Sequence, residues 1–266
     1  MNNELRKLHE WLCINRLSLN ITKTNFVIFH PKNKPKVPVT ILINKEAIDE
    51  EYVVKYLGVL VDSQLTFKFH IDELKKKVSR AIGVLYKLKP FVPPSILINV
   101  YYSIIYPFLL YGVLIWGNAD KTLLKPIHIL QKKFVRMATF NDSFPTLLGP
   151  LVHTPPLFHK LGLLTIFEIF ELQLGKIVYE SINGIGPVNK VVILNFVSEI
   201  HGHNTRQATQ RKIYKKSVRT THYGLKGLNY LGGDLWDSMP NEMKGSTNKR
   251  LFTHRFNNYL IKKYGN

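Results

Sequence analysis

Few of the groups that do covalent chemistry stand together in this 266-residue chain. Nucleotidyl or phosphoryl transfer needs two or more carboxylates close enough to hold divalent metal ions, and there is no Asp-Asp pair. Asp49-Glu50-Glu51 is a lone acidic cluster in a hairpin region and reads as a solvated turn. Asp62 is separated from Asp72 and Glu73 by a helix start, where Asp72 would favour the positive end of the helix. Ten histidines raise the question of a metal, yet His201 and His203 lack the cysteine or carboxylate partners of a zinc site. Cys13 is the only cysteine, so neither an internal disulfide nor a cysteine-based zinc site is available. It has no persuasive histidine partner and reads as a small core residue on an apolar helical face. Gly184-x-Gly186-Pro187 follows a helix, the wrong context for a dinucleotide loop. No Gly-x-Ser-x-Gly occurs.

What remains is charge interleaved with aromatics. Lys and Arg number 37 against 18 Asp and Glu, a net charge of +19. A chain this basic repels itself, and the common use of such an excess is a polyanion. The charge is segregated. Between Glu73 and Asp120 there is no acid, while Lys75, Lys76, Lys77, Arg80, Lys87 and Lys89 are all basic. Ile200 to Gly233 is again acid-free and carries Arg206, Arg211, Lys212, Lys215, Lys216, Arg219 and Lys226. Lys and Arg neutralise phosphates, and Tyr and Phe lie against sugars and bases. The competing reading is that aromatics on helix stripes are core.

The elements that must hold these residues fall into two regimes. Asn3 to Ile14 has the spacing of an amphipathic helix. Short strands follow: Asn25 to His30, Val39 to Ile43, Ala47-Ile48, Val53-Val54 and Tyr56 to Asp62, broken by a proline- and lysine-rich loop at Pro31 to Pro38 and a turn at Asn44-Lys45. Thr66 to Lys89 then reads as a long helix with Phe67, Ile71, Leu74, Val78, Ile82, Leu85 and Leu88 on one stripe. Pro93-Pro94 opens the next segment. From Pro90 to Ala119 there is no charge, and Ile96 to Trp116 is long enough to span a bilayer. Asn99, Ser103, four tyrosines and Pro107 favour instead a pair of buried helices broken near Pro107. Leu123 to Phe140 and Leu164 to Ile182 are helical, with Lys132, Lys133 and Arg136 facing outward on the first. Asn141 to Pro156 is a loop, and a short helix is expected near Val188 to Val197. Leu235 to Pro240 is a compact apolar turn. Ser246 caps a final helix to Tyr264. The class is α+β, mostly α. No secretory signal opens the chain.

Several of these blocks resemble non-LTR (LINE-type, jockey-like) retrotransposon reverse transcriptases. Trp11-x-x-x-Asn15-x-Leu17-x-Leu19-Asn20-x-x-Lys23-Thr24 is similar to the segment just after that family's catalytic carboxylates. Lys55-Tyr56-Leu57-Gly58-Val59-x-x-Asp62-x-x-Leu65-x-Phe67-x-x-His70-Ile71 resembles its next block. Tyr106-Pro107-x-x-x-Tyr111-Gly112-x-x-x-Trp116-Gly117 and Gln131-Lys132-Lys133-x-x-Arg136 resemble its thumb, and Leu235 to Pro240 its C-terminal end. The resemblance implies a small antiparallel palm-remnant sheet over 1–65, a helical thumb over 66–140 and a helix-rich basic C-terminal region over 141–266. It implies that Lys23 lies near the incoming nucleotide's phosphates and that Tyr56, Leu57 and Gly58 grip the primer. It also makes Lys75, Lys76, Arg80, Lys132, Lys133, Arg136, Arg206, Arg211 and Lys212 candidates for contact with a nucleic-acid backbone.

The family's Phe/Tyr-Ala-Asp-Asp motif, which holds Mg²⁺ in the intact enzyme, should precede Met1. The expectation is therefore a fragment of an RNA-directed DNA polymerase with nucleic acid as partner, no metal or cofactor of its own, and no activity alone. The alternatives are a non-catalytic basic nucleic-acid-binding protein and a membrane-associated helical protein inserting at Ile96 to Trp116. The sequence does not fix the oligomeric state. It is compatible with an intracellular protein, soluble or nuclear.

Overall fold

The computed structural model describes residues 2–31, 34–44, 46–139, 153–185, 192–200, 205–206, 212–220 and 224–265. The chain divides into two compact units, Met1–Glu73 and Leu74–Asn266.

The first unit contains α1 (Asn2–Ile14), a 3₁₀ turn (Ile21–Lys23) and six short strands. These are β1 (Asn25–Phe26), β2 (Leu42–Ile43), β3 (Glu46–Ala47), β4 (Asp49–Glu50), β5 (Val53–Tyr56) and β6 (Val59–Asp62). Leu5 of α1 packs with Leu19 and Phe26 on buried Ile41, Ile43 and Ile48. Asn2 clamps α1 to the strand edge: its Oδ1 accepts from Leu42 N and its Nδ2 donates to Thr40 O, both at 3.3 Å. The strands do not form the single antiparallel sheet expected. They make three two-stranded ladders, β1–β4 parallel and β2–β3 and β5–β6 antiparallel. Prolines 31, 35 and 38 lack the donor a ladder needs, which accords with Asn25 to His30 and Val39 to Ile43 each shrinking to two residues. Cys13 is exposed rather than core, and α1 has no buried residue.

Helix α2 (Lys68–Leu88) starts in the first unit and runs into the second. Its expected stripe is present: Ile71, Leu74, Val78 and Leu85 are buried. The second unit continues with α3 (Pro94–Val100), a π turn (Tyr101–Ile105), α4 (Tyr106–Leu110), α5 (Val113–Trp116) and α6 (Lys121–Thr139). Then come α7 (Thr154–Leu161), α8 (Ile166–Ile182), α9 (Val197–Ile200), α10 (Leu228–Ser238), α11 (Asn241–Lys244) and α12 (Lys249–Gly265).

Helix α8 is the centre of this unit; α4, α5, α6, α10 and α12 pack against it. It is apolar almost all round, as a surrounded helix must be. Small residues let its neighbours close in: a Cβ at Gly175 would overlap the Phe256 ring of α12, and one at Gly232 of α10 would lie 2.8 Å from Val178 Cγ2. Glu168 ties off the α8 start, accepting from Thr165 N at 2.7 Å and Thr165 Oγ1 at 2.9 Å. Burial holds this carboxyl above its usual range, against the pull of those bonds.

One buried amide joins three elements. Gln131 of α6 is fully buried. Its Nε2 donates to Tyr101 Oη at 3.0 Å and to Leu164 O at 3.1 Å, and its Oε1 accepts from Ile166 N at 2.8 Å.

Other expectations change here as well. The chain does not break near Pro107. Tyr106 N donates to Tyr101 O in a π turn just before the proline, and a widened turn is where a helix absorbs such a local fault. The break falls at Gly112, which takes φ 61°. The segment is also not buried on all sides, since Ile104, Phe108, Tyr111 and Ile115 are exposed. No helix among the described residues is long and apolar enough to cross a membrane. Pro155 and Pro156, read as loop, occupy the first turn of α7, where missing N–H groups cost nothing. Leu235 to Ser238 is the end of helix α10 rather than a turn, because buried Gly232 and Gly233 are used for packing and not for breaking the helix. Asn248, not Ser246, caps α12, accepting from Leu251 N at 2.8 Å. Within the expected helix near Val188 to Val197, residues 188–191 lie outside the described set; 192–195 are irregular, Phe196 bridges Ile213, and helix begins only at Val197.

Two measurements test this packing. Gln131→Leu strands three buried polar groups, each worth about 1–3 kcal/mol. It should lower the urea midpoint by the equivalent of about 2–4 kcal/mol with an unchanged slope. His128 is buried between Phe158 and Phe167. Burial first, and Lys132 second, push its pKa down from 6.5 to about 4. The folded state therefore binds this proton less readily than the unfolded chain, and stability falls as pH drops from about 6.5 to about 4, by up to about 3 kcal/mol. In a pH series of melts, His128→Phe should flatten the curve over that window.

Candidate nucleic-acid interface

In the first unit the block from Lys55 to Ile71 folds into a hairpin and a tightly bonded turn. Strands β5 and β6 pair Val53 with Asp62 through to Tyr56 with Val59. That leaves Leu57 and Gly58 as a two-residue turn, at φ 44° and 85°. Two positive values are the sign pattern of a type I′ hairpin. At the other end Asp62, itself buried, accepts from Gln64 N at 3.1 Å, Thr66 N at 3.0 Å, Thr66 Oγ1 at 3.1 Å and Phe67 N at 2.7 Å. These bonds secure a turn in which Leu65 and Phe67 both take positive φ. His70, one turn into α2, accepts from Leu60 N through Nδ1 at 3.4 Å. Asp62, and not Asp72, thus serves the start of the helix; Asp72 is exposed a turn further on. The roles of Asp62 and His70 were not foreseen. An acid four and five residues before Thr66 and Phe67, at the approach to the helix, was the available signal.

Among the grip candidates, Gly58 supplies backbone freedom, while Tyr56 and Leu57 project at the tip, 69% and 74% exposed. Lys23 sits exposed on a 3₁₀ turn capped by Asn20, whose Oδ1 accepts from Lys23 N at 3.1 Å.

The second unit holds nearly all the excess charge. Residues 74–266 carry 27 Lys and Arg against 9 Asp and Glu, or +18, whereas residues 1–73 carry 10 against 9. Lys75, Lys76 and Arg80 are exposed on α2. On α6, Lys125 and Lys133 are exposed and Lys132 and Arg136 half-buried; with exposed Ile129 they recur at helical spacing along one face. Lys125 was not singled out from the sequence, although the spacing marks it. Among the described residues, Lys75, Lys76, Arg80, Lys132, Lys133 and Arg136 take part in no ion pair. Five of the nine acids of this unit are engaged elsewhere: Asp120 with Lys226 at 2.5 Å, Asp234 and Asp237 with Lys215, Glu180 with Lys249 and Glu171 with Lys263.

Arg206 and Lys212 are exposed; Arg211, His201 and His203 lie outside the described residues. Glu50 of the acidic cluster pairs with Lys36 at 2.6 Å and lies in β4 rather than a turn. His9 Nε2 lies 3.6 Å from Cys13 Sγ, an i, i+4 neighbour missed in the sequence. Among the described residues no three His, Cys, Asp or Glu side chains converge as metal ligands.

The chain is similar to the RNA-directed DNA polymerases of jockey-like non-LTR mobile elements. It is 28% identical over 165 residues to the probable RNA-directed DNA polymerase from transposon X-element of Drosophila melanogaster, covering 61% of this chain and 17% of that protein. To the RNA-directed DNA polymerase from mobile element jockey of the same fly it is 35% identical over 98 residues, 35% of this chain and 11% of the relative. The jockey polymerase of Drosophila funebris gives 30% over 135 residues, 50% and 14%. The chain thus spans between 11% and 17% of the length of these relatives. No family model and no solved structure matches it.

Leu57 is strained for a side chain at φ 44°. Leu57→Asn should stabilise the hairpin by about 1 kcal/mol, because asparagine tolerates the left-handed region, while Gly58→Ala should cost about as much. Thermal melts of the two variants should move in opposite directions.

Proposed function

We propose that this chain is the primer- and template-contacting part of a mobile-element RNA-directed DNA polymerase, binding nucleic acid without extending it by itself. In this reading residues 1–65 are a palm remnant, 66–140 a thumb and 141–266 a basic C-terminal region. Tyr56, Leu57 and Gly58 meet the primer strand and Lys23 faces a phosphate. Lys75, Lys76, Arg80, Lys132, Lys133 and Arg136 lie along the backbone, joined by Arg206, Arg211 and Lys212. The observation that carries it is that, among the described residues, Lys75, Lys76, Arg80, Lys132, Lys133 and Arg136 take part in no ion pair, in a unit with a net +18. Self-repulsion of that size is relieved by phosphates.

Nucleotidyl transfer by such polymerases needs carboxylate-held Mg²⁺ at the transferring phosphoryl group. This chain has no Asp-Asp pair, and Asp62, its buried carboxylate beside the hairpin, is occupied by four donors. The residues described do not fit that metal.

The test is a fluorescence-anisotropy titration of a primer–template duplex against salt. Affinity should fall steeply, with a log–log slope of about −0.9 per phosphate neutralised. Replacing Lys75, Lys76 and Arg80 with alanine should reduce that slope by about 2–3, and so should replacing Lys132, Lys133 and Arg136. Leu57→Asn should weaken binding without changing the slope, despite its gain in stability. Absence of binding at low salt would sink the proposal, and primer extension with Mg²⁺ would overturn its non-catalytic half.

A further inference from the structure

A cleft of about 530 Å³ opens in the C-terminal half of the second unit, within the about 300–1,000 Å³ of small-ligand sites. Three stretches wall it: Ile193–Asn195 ahead of α9, Tyr214–Val218, and Gly224 to Tyr230 leading into α10. Backbone bonds brace them. Tyr214 N donates to Asn195 O at 2.8 Å, Val197 N to Lys212 O at 2.9 Å, and Ile193 N to Asn229 Oδ1 at 3.0 Å.

The lining has two tyrosines, two lysines, two asparagines and no acid. Lys215 is fixed and already balanced: it bonds Asp234, lies 3.4 Å from Asp237, and stands 5.8 Å from the centre of the Tyr230 ring. Lys216 is exposed and, among the described residues, in no ion pair. Tyr214 is 38% exposed, so its ring is within reach of a ligand. A purely apolar ligand would strand the lysine and the amides. A small anion without a ring would leave both tyrosines unused. A flat heterocycle carrying a phosphate uses all of them.

We propose that this cleft takes one unstacked nucleotide of a single strand, with its base against Tyr214 or Tyr230 and its phosphate at Lys216. The proposal rests on the nucleic-acid reading above and adds the class of strand. A paired base cannot enter, because its faces are covered by its neighbours and its edge by its partner.

The experiment uses the full chain and three labelled probes: a short oligothymidylate, an abasic strand with the same number of phosphates, and a duplex. The oligothymidylate should bind more tightly than the abasic strand by roughly 5- to 100-fold, the worth of one stacked base. Tyr214→Ala and Tyr230→Ala together should remove that difference and leave abasic binding unchanged, whereas Tyr→Phe should retain it. On the unaltered chain, photocrosslinks from a bromodeoxyuridine strand should fall within 193–195, 214–218 or 224–230. This arm decides the matter if the alanine variants fail to fold. Equal affinity for the oligothymidylate and the abasic strand, or crosslinks elsewhere, overturns the cleft and leaves the backbone-binding proposal standing. Binding of none of the three probes at low salt overturns both.

Discussion

The carboxylate of Asp62 is the constraint on which the first unit's surface depends. Bonds to an ionised acceptor are worth about 1.5–3 kcal/mol each, and Asp62 accepts three from backbone and one from Thr66. They exceed the about 1–2 kcal/mol that each left-handed residue costs, which is why Leu65 and Phe67 can sit at positive φ. With the turn secured, β6 ends at Asp62, α2 begins at Lys68, and His70 can reach back to Leu60. Almost every marked position between Lys55 and Ile71 then has a folding reason. Tyr56 and Leu57 are distinguished by exposure at the tip, with Leu57 at a positive φ that favours glycine or asparagine.

The second unit shows the same division in its charges. Its ion pairs stitch the C-terminal helices and their connections, with Lys215, Lys226, Lys249 and Lys263 as the cations. Exposed pairs of this kind add little stability, but they occupy five of the nine acids of the unit. Among the described residues Lys75, Lys76, Arg80, Lys132, Lys133 and Arg136 take part in no ion pair, while the fold gets what it needs from other faces of those helices: Leu74, Val78 and Leu85 on one, Ile127, Phe134 and Val135 on the other. Folding and charge are borne by different faces, so the charge can be changed without unpacking the core.

How much of this was legible in the sequence depended on whether one residue had one job. Helices α2, α6 and α8 were plain because apolar residues at a spacing of three and four have a single reading. Leu235 to Pro240, read as a turn, misled because Trp236 and Met239 are apolar in a turn or a helix end alike, and Gly232 and Gly233 ahead of them pack inside α10. Pro155-Pro156 misled in the same way, being helix starters as well as loop residues. Between Pro94 and Trp116 both the buried stripe (Leu97, Tyr101, Ile105, Leu109) and the exposed one (Ile104, Phe108, Tyr111, Ile115) are apolar, so periodicity could not tell inside from outside. The bonds of Gln131 join residues 30 to 35 positions away through geometry that no local pattern encodes. The exposure of Lys75, Lys76, Arg80 and Lys133 was nevertheless readable, because cations off an apolar stripe are a pattern of local sequence.

Under the proposed function, an apolar tip and basic helix faces act on nucleic acid by different physical means. Phosphate neutralisation is long-ranged, indifferent to sequence and weakened by salt. It gathers nucleic acid but does not fix its register. An apolar tip such as Tyr56-Leu57 acts only on contact, is little affected by salt, and gains from being held rigidly, since less side-chain freedom is lost on binding. The rigidity is supplied at the far end of the hairpin, where Asp62 and His70 fasten β6 to the start of α2.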